Sequence, residues 1–204
     1  MNVVLVHGFL NRGGIMRGLA HHLTSAGHTC IVPSLKPCDA RCGLPNLANQ
    51  LGRFINESLS DGSRFAIVGF SMGALVARYY LQELGGCQRT DAFFSICGPH
   101  SGTLTAYMYP SEGVYQMRPN SKFLVRLNQT ADHLAGISIT CYWTPFDLMI
   151  CPGESAKWPR SEHVRIPALL HSLVVFDRRL YRDIAQRLSA TEPNKSPQPT
   201  ATAP

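Results

Sequence analysis

No stretch of the chain approaches the roughly 18–20 consecutive apolar residues that a membrane-spanning helix requires. Charge is sparse too. Only 16% of the 204 residues are Asp, Glu, Lys or Arg, and the net charge of +6 is spread in ones and twos. The nearest thing to a basic cluster is Arg178, Arg179, Arg182 and Arg187, which reads as the solvated face of a last helix. No aromatic residues interleave a basic patch, so nucleic-acid binding is not expected. A weak contact with an anionic membrane surface stays compatible with the charge. No internal repeat is visible, which excludes a solenoid. No secretory leader is expected either, because Met1-Asn2 runs directly into Val3-Val4-Leu5-Val6, which reads as a core strand. A cytoplasmic location is therefore expected.

The seven cysteines are an odd number, which argues against a complete disulfide framework. Cys30, Cys97 and Cys141 lie in apolar runs, where a free thiol acts as a small hydrophobe. Cys38 and Cys42 are near enough to bridge in an oxidising compartment, yet they lack the second Cys/His pair of a zinc site. Reduced structural cysteines are expected.

What is present is a hydrophobic content of 45%, enough to fill the core of one domain. That domain is expected over residues 1–188. From Ser189 onward Pro, Thr, Ala and Ser dominate, so 189–204 is expected to be a disordered tail. Short continuous apolar runs at 3–6, 29–32, 65–68, 91–97, 137–142 and 163–166 read as strands covered on both faces. Helical periods separate most of them, at 15–26, 47–59, 71–84, 119–128 and 175–188. Residues 104–118 show no clear period and carry Tyr107, Met108, Tyr109, Tyr115 and Met117. The alternation predicts an α/β fold with a doubly wound, mostly parallel sheet, in which ligands bind beyond the carboxyl ends of the strands.

One stretch carries chemistry. Phe65-Ala-Ile-Val is followed by Gly69-Phe-Ser-Met-Gly73 and then by an apolar-periodic helix. Gly-x-Ser-x-Gly also arises in ordinary glycine-rich turns, but a strand before it and a helix after it are the setting of a nucleophile elbow. A nucleophilic serine must stand clear on a sharp turn, so side chains two residues to either side would collide there. The helix beginning under Ser71 brings free N–H groups towards the negative charge of acyl transfer. The Met72 N–H is the expected first oxyanion donor. The second is expected from the loop after the first strand, His7-Gly8-Phe9, through the Phe9 N–H. His7 is expected to hold that loop.

A serine needs a histidine base oriented by a carboxylate, in the chain order Ser, Asp/Glu, His. His171 lies between the last strand and the last helix, at the catalytic end of the sheet. Its plain alternative is a helix cap. Asp147 follows a strand and precedes His171, with Glu154 in the same loop as the alternative acid.

With these residues in place the chain resembles the small lidless bacterial lipases and esterases of the α/β-hydrolase fold, triacylglycerol lipases among them. The matching pieces are Val3-Val-Leu-Val-His-Gly-Phe9, Val68-Gly-Phe-Ser-Met-Gly-Ala-Leu-Val-Ala-Arg-Tyr-Tyr80 and Gly98-Pro-His-Ser-Gly-Thr103. The last is similar to the Thr-Pro-His-x-Gly-Thr loop of lipid deacylases. The helix at Met117–Asn128 is also similar to one that such lipases carry. The resemblance implies a minimal α/β-hydrolase with Ser71 as nucleophile, Asp147 and His171 completing the triad, and Phe9 and Met72 forming the oxyanion hole. It implies hydrolysis of a small-molecule ester or lipid through an acyl-enzyme, with no metal or organic cofactor. His100 is expected to fix its loop, and residues 104–118 are candidates for the acyl site. Two other readings stay open: a thioesterase, amidase or acyltransferase using the same triad, and a non-catalytic binding protein on the same fold.

Overall fold

A computed structural model describes residues 1–191. Six strands form one sheet in the order β2-β1-β3-β4-β5-β6, and every pairing is parallel. The strands are β1 (Asn2–Val6), β2 (Thr29–Ile31), β3 (Phe65–Phe70), β4 (Thr90–Ile96), β5 (Ser138–Trp143) and β6 (Glu162–Arg165). The central β3 is buried along its whole length. Successive residues serve opposite faces. Val4, Val6, Phe65, Ile67 and Phe93 join one core, and Val3, Leu5, Ala66, Val68 and Phe94 join the other. Strands buried on both faces must be apolar throughout, so their runs show no polar alternation.

Helices cover both faces. α1 (Arg17–Ser25) and the last helix lie on one side; α2 (Leu44–Ser58), α3 (Met72–Glu83), α4 (Glu112–Gln116) and α5 (Lys122–Gln129) pack on the other. α2 begins three residues earlier than the periodicity predicts. Pro45 sits in its first turn, where a missing N–H costs no hydrogen bond. The stretch 104–118 gains a short helix, α4, whose N-cap Ser111 accepts from the Val114 N–H. The expected closing helix, 175–188, is α7 (Arg178–Thr191), and a short helix, α6 (His171–Val174), forms in the loop expected before it. Asp177 separates them by accepting the Arg179 N–H at 2.8 Å, as an N-cap does. α7 runs through Thr191, so the start of the expected tail is helical, and 192–204 lie outside the described residues.

α3 differs from a one-stripe amphipathic helix. It is sandwiched between α2 and α5 and buries Arg78 and Gln82 along with its apolar residues. The Arg78 guanidinium lies 4.2 Å from the Trp158 ring centre, and it donates to Gln82 Oε1, the Leu127 carbonyl and Asn128 Oδ1. These bonds tie α3 to α5.

The chain leaves β1 for β2 on one side, then returns past β1 to β3. The connections after β1 and after β3 therefore diverge to opposite faces. Such a reversal opens a crevice at the carboxyl ends of the two strands. The loops after β1 and β3 carry Phe9 and Ser71.

Candidate active site

Ser71 follows β3 at φ +55 and ψ −124 and immediately precedes α3. This left-handed conformation costs a non-glycine residue about 1–3 kcal/mol, so its surroundings must impose it. Its N–H is anchored on the Ile96 carbonyl at 2.8 Å. The glycines on either side explain the rest. A Cβ on Gly69 would lie 2.5 Å from Ala74 Cα, and one on Gly73 would strike the His7 carbonyl and lie 2.6 Å from that of Val6. Backbone atoms cannot retreat from such contacts, so α3 packs against β1 and β3 only with glycine at both places.

The loop after β1 is built to approach Ser71. A Cβ on Gly8 would lie 3.0 Å from Ser71 Cβ. The buried His7 ring holds this loop. Its Nδ1 bonds the Gly8 carbonyl and its Nε2 accepts the Leu35 N–H, both at 2.9 Å. That pairing fixes a neutral tautomer, and burial lowers the ring's pKa against the raising effect of the two bonds. Leu10 N–H bonds the Cys38 carbonyl, while Asn11 Nδ2 donates to the Phe9 carbonyl at 2.8 Å. Among the described residues neither the Phe9 nor the Met72 N–H is engaged in a hydrogen bond. Met72 is the first residue of α3, where an N–H has no partner within the helix.

His171 Nδ1 and Asp147 Oδ2 are 2.8 Å apart, both side chains largely buried. The other carboxylate oxygen, Oδ1, accepts the Met149 and Ile150 N–H groups at 2.9 and 2.8 Å. Burial by itself raises the Asp147 pKa. The His171 bond and charge and the two amides outweigh it, and the net shift is downward. A carboxylate accepting from Nδ1–H leaves the lone pair on His171 Nε2. Asp147 and not Glu154 is bonded to His171; Glu154 sits in the 153–156 turn. The imidazole stacks on Phe70, the residue before Ser71, with centroids 4.9 Å apart. His171 thus stands against the residue that precedes Ser71 in the chain, with no direct Ser71–His171 hydrogen bond among the described residues.

The remaining histidine of the Gly98–Thr103 loop is structural. His100 Nε2 pairs with Ser95 Oγ at 2.8 Å and its ring stacks on Trp158. It is fully buried, and burial pushes its pKa well below the usual value. All seven cysteines are free. Cys97 Sγ lies within 4.8 Å of donor atoms of Asp147 and His171, a set chemically able to ligate a metal, but two of its three members are already bonded to each other. Burial and then the Asp147 charge hold that thiol well above its ordinary pKa.

Ser71 opens onto a cavity of about 550 Å³. Its buried floor is Ala106, Val114, Met117 and Ile150, and Met108 and Leu148 stand exposed at its rim. The stretch 104–118 supplies much of the lining. The contribution of Leu148, Met149 and Ile150 escaped the sequence reading, although they directly follow Asp147.

The sheet order, the elbow and the crevice define the α/β-hydrolase fold. Solved structures of lipases and other hydrolases share that fold with this chain. Aspergillus fumigatus lipase B matches with TM-score 0.76 at 17% identity, covering 92% of this chain and 52% of that one. The mature Bacillus licheniformis lipase BlEst2 matches with TM-score 0.72 at 13% identity, covering 92% and 91%. A pyrethroid hydrolase from Sphingobium faniae JZ-2 matches with TM-score 0.65 at 14% identity, covering 93% and 98%. These likenesses show the fold, and the chain spans about half the length of the fungal lipase. No curated protein matches by sequence. The sequence model of the palmitoyl protein thioesterase family matches residues 2–146, and the chain belongs to that family. The matched region holds Phe9, Ser71 and Met72 and ends one residue before Asp147. Among the described residues no helix is long and apolar enough to cross a membrane.

Proposed function

We propose that this protein hydrolyses acyl esters of apolar carboxylic acids, taking a small-molecule ester or lipid through a serine acyl-enzyme. The observation that carries the reading is a His171–Asp147 pair stacked on Phe70, the residue before a strained Ser71 that lines an apolar cavity. Ser71 Oγ attacks the acyl carbon as His171 Nε2 takes its proton. The carbonyl oxygen becomes an oxyanion facing the unengaged Phe9 and Met72 amides. His171 then protonates the leaving alcohol, and water, deprotonated by the same ring, releases the acid and restores Ser71. Asp147 keeps the Nδ1–H tautomer and stabilises the charged imidazole.

Family membership favours a second reading, in which the scissile bond is a long-chain acyl thioester. The same groups serve, with a thiol as leaving group. Hydrolysis of p-nitrophenyl esters from acetate to palmitate and of palmitoyl thioesters separates the two, measured with wild type and Ser71→Ala side by side. Activity lost in Ser71→Ala establishes the nucleophile, and the ratio of ester to thioester rates names the bond. An active Ser71→Ala variant would overturn both readings. Wild type inactive on every substrate would leave a binding protein.

A further inference from the structure

The Gly98–Thr103 motif ends on a residue to which the mechanism gives no part. Thr103 is buried, and its Oγ1 accepts the Cys151 N–H at 2.9 Å. The same oxygen lies 2.9 Å from the Met149 carbonyl and 3.0 Å from Thr105 Oγ1. Thr105 Oγ1 in turn donates to the Met149 carbonyl at 2.6 Å. Two hydroxyls thus converge on one carbonyl. That carbonyl belongs to the peptide unit whose N–H is Ile150, the group that donates to Asp147 Oδ1. A peptide is planar and trans, so its C=O and N–H point opposite ways. Hydroxyls holding the oxygen on one side aim the N–H at the carboxylate on the other. The Cys151 N–H bond to Thr103 holds the next peptide, 150–151, and Leu104 N–H, bonded to the Cys151 carbonyl at 2.9 Å, holds the one after it.

We infer that Thr103, helped by Thr105, is a positioning residue for the acid of the triad, acting through the 149–150 peptide on the Asp147 carboxylate. The inference rests on the triad reading given above. The turn after Asp147 is short and open to the cavity rim, with Leu148 and Met149 exposed. The hydroxyl pair ties it to the loop after β4 together with the Leu104–Cys151 backbone bond. Without them the Met149 carbonyl and the Cys151 N–H lose their partners, and the peptide is free to rotate its amide away from Oδ1.

The test is a mutant cycle on hydrolysis of a p-nitrophenyl ester. Thr103→Val keeps the shape of the cavity wall and removes the hydroxyl. We expect kcat to fall about tenfold with KM within about threefold, and Thr103→Ser to restore kcat to within about threefold of wild type. In an Asp147→Ala background the same Thr103→Val change should have no further effect beyond about twofold, because its target is gone. Equal losses in both backgrounds, or no loss in the first, would overturn the inference. If Thr103→Val does not accumulate as folded protein, Thr105→Val reads the same bond from a half-buried position. It should lower kcat about threefold only when Asp147 is present, and an unchanged kcat there overturns the inference. Ser71→Ala separates the two levels. An active Ser71→Ala sinks the triad reading and this inference together. An inactive Ser71→Ala with a fully active Thr103→Val sinks this inference alone.

Discussion

Replacing Asp147 by asparagine removes one charge and almost no volume, so its effect reports on proton placement at His171. The structure determines which way the new amide must face. Oδ1 accepts two N–H groups, from Met149 and Ile150, and Oδ2 faces His171 Nδ1. If the asparagine NH2 turned towards the two amides, both donors would lose their acceptor. At about 1–3 kcal/mol for each unsatisfied group, that orientation is disfavoured by about 2–6 kcal/mol. The NH2 therefore faces His171 and donates to Nδ1. The proton then resides on Nε2, where it cannot receive one from Ser71. Inversion of the tautomer in this arrangement lowers kcat by about 10⁴. KM should stay within about threefold, because nothing that lines the cavity has changed shape. Initial rates on a p-nitrophenyl ester at pH 7, with a thermal melt to establish folding, measure this directly. A folded Asp147→Asn variant that keeps more than about a tenth of wild-type kcat would refute the tautomer argument and with it the assignment of Asp147.

Gly8→Ala should lower kcat by about 10²–10³, because the added Cβ lies 3.0 Å from Ser71 Cβ and must push the Phe9 amide off the oxyanion; a rate equal to wild type would show that Phe9 donates nothing. Stability should fall on acidification from neutral pH. His7 and His100 are held neutral, with folded pKa values below the ordinary 6.5, so the unfolded chain takes up protons first. The stability they contribute is full above about pH 6.5 and is lost as pH drops below it, by up to about 1.4 kcal/mol per pH unit for each ring. Asp147, whose folded pKa is depressed, adds a further loss only at more acid pH, below its unfolded value. Urea unfolding at pH 7.5, 6.5 and 5.5 measures the slope, and a flat profile contradicts the burial of these rings. Lengthening the acyl chain should raise kcat/KM by up to about fourfold per methylene, the equivalent of about 0.8 kcal/mol, until the cavity is full. Val114→Phe, on the cavity floor, should move that limit to shorter acids; an unmoved optimum would place the acyl chain elsewhere.

The features the sequence made legible are those decided within a few residues. Strand runs without polar alternation follow from a sheet buried on both faces. The elbow is written in Gly69, Ser71 and Gly73 because backbone sterics at a strand-to-helix turn admit little else. Ser71, Asp147 and His171 each follow a strand run, so the end of the sheet on which they lie was readable. Even the start of α7 had a local signal in Asp177, although the periodicity places it three residues earlier.

What remained hidden depends on contacts between distant segments. That Asp147 and not Glu154 meets His171 is settled by the 149–150 peptide folding back on the carboxylate, a shape no spacing rule prescribes. Arg78 is buried because α5 and Trp158, distant in the chain, close over it. The cavity is assembled from the loops after β1, β3, β4 and β5, so its floor at Val114 and its rim at Leu148 exist only once all four stand at one edge of the sheet. Local sterics and burial pattern thus determine the elements and the elbow. The partner of each side chain, and the space left beside Ser71, are determined by packing between segments tens of residues apart.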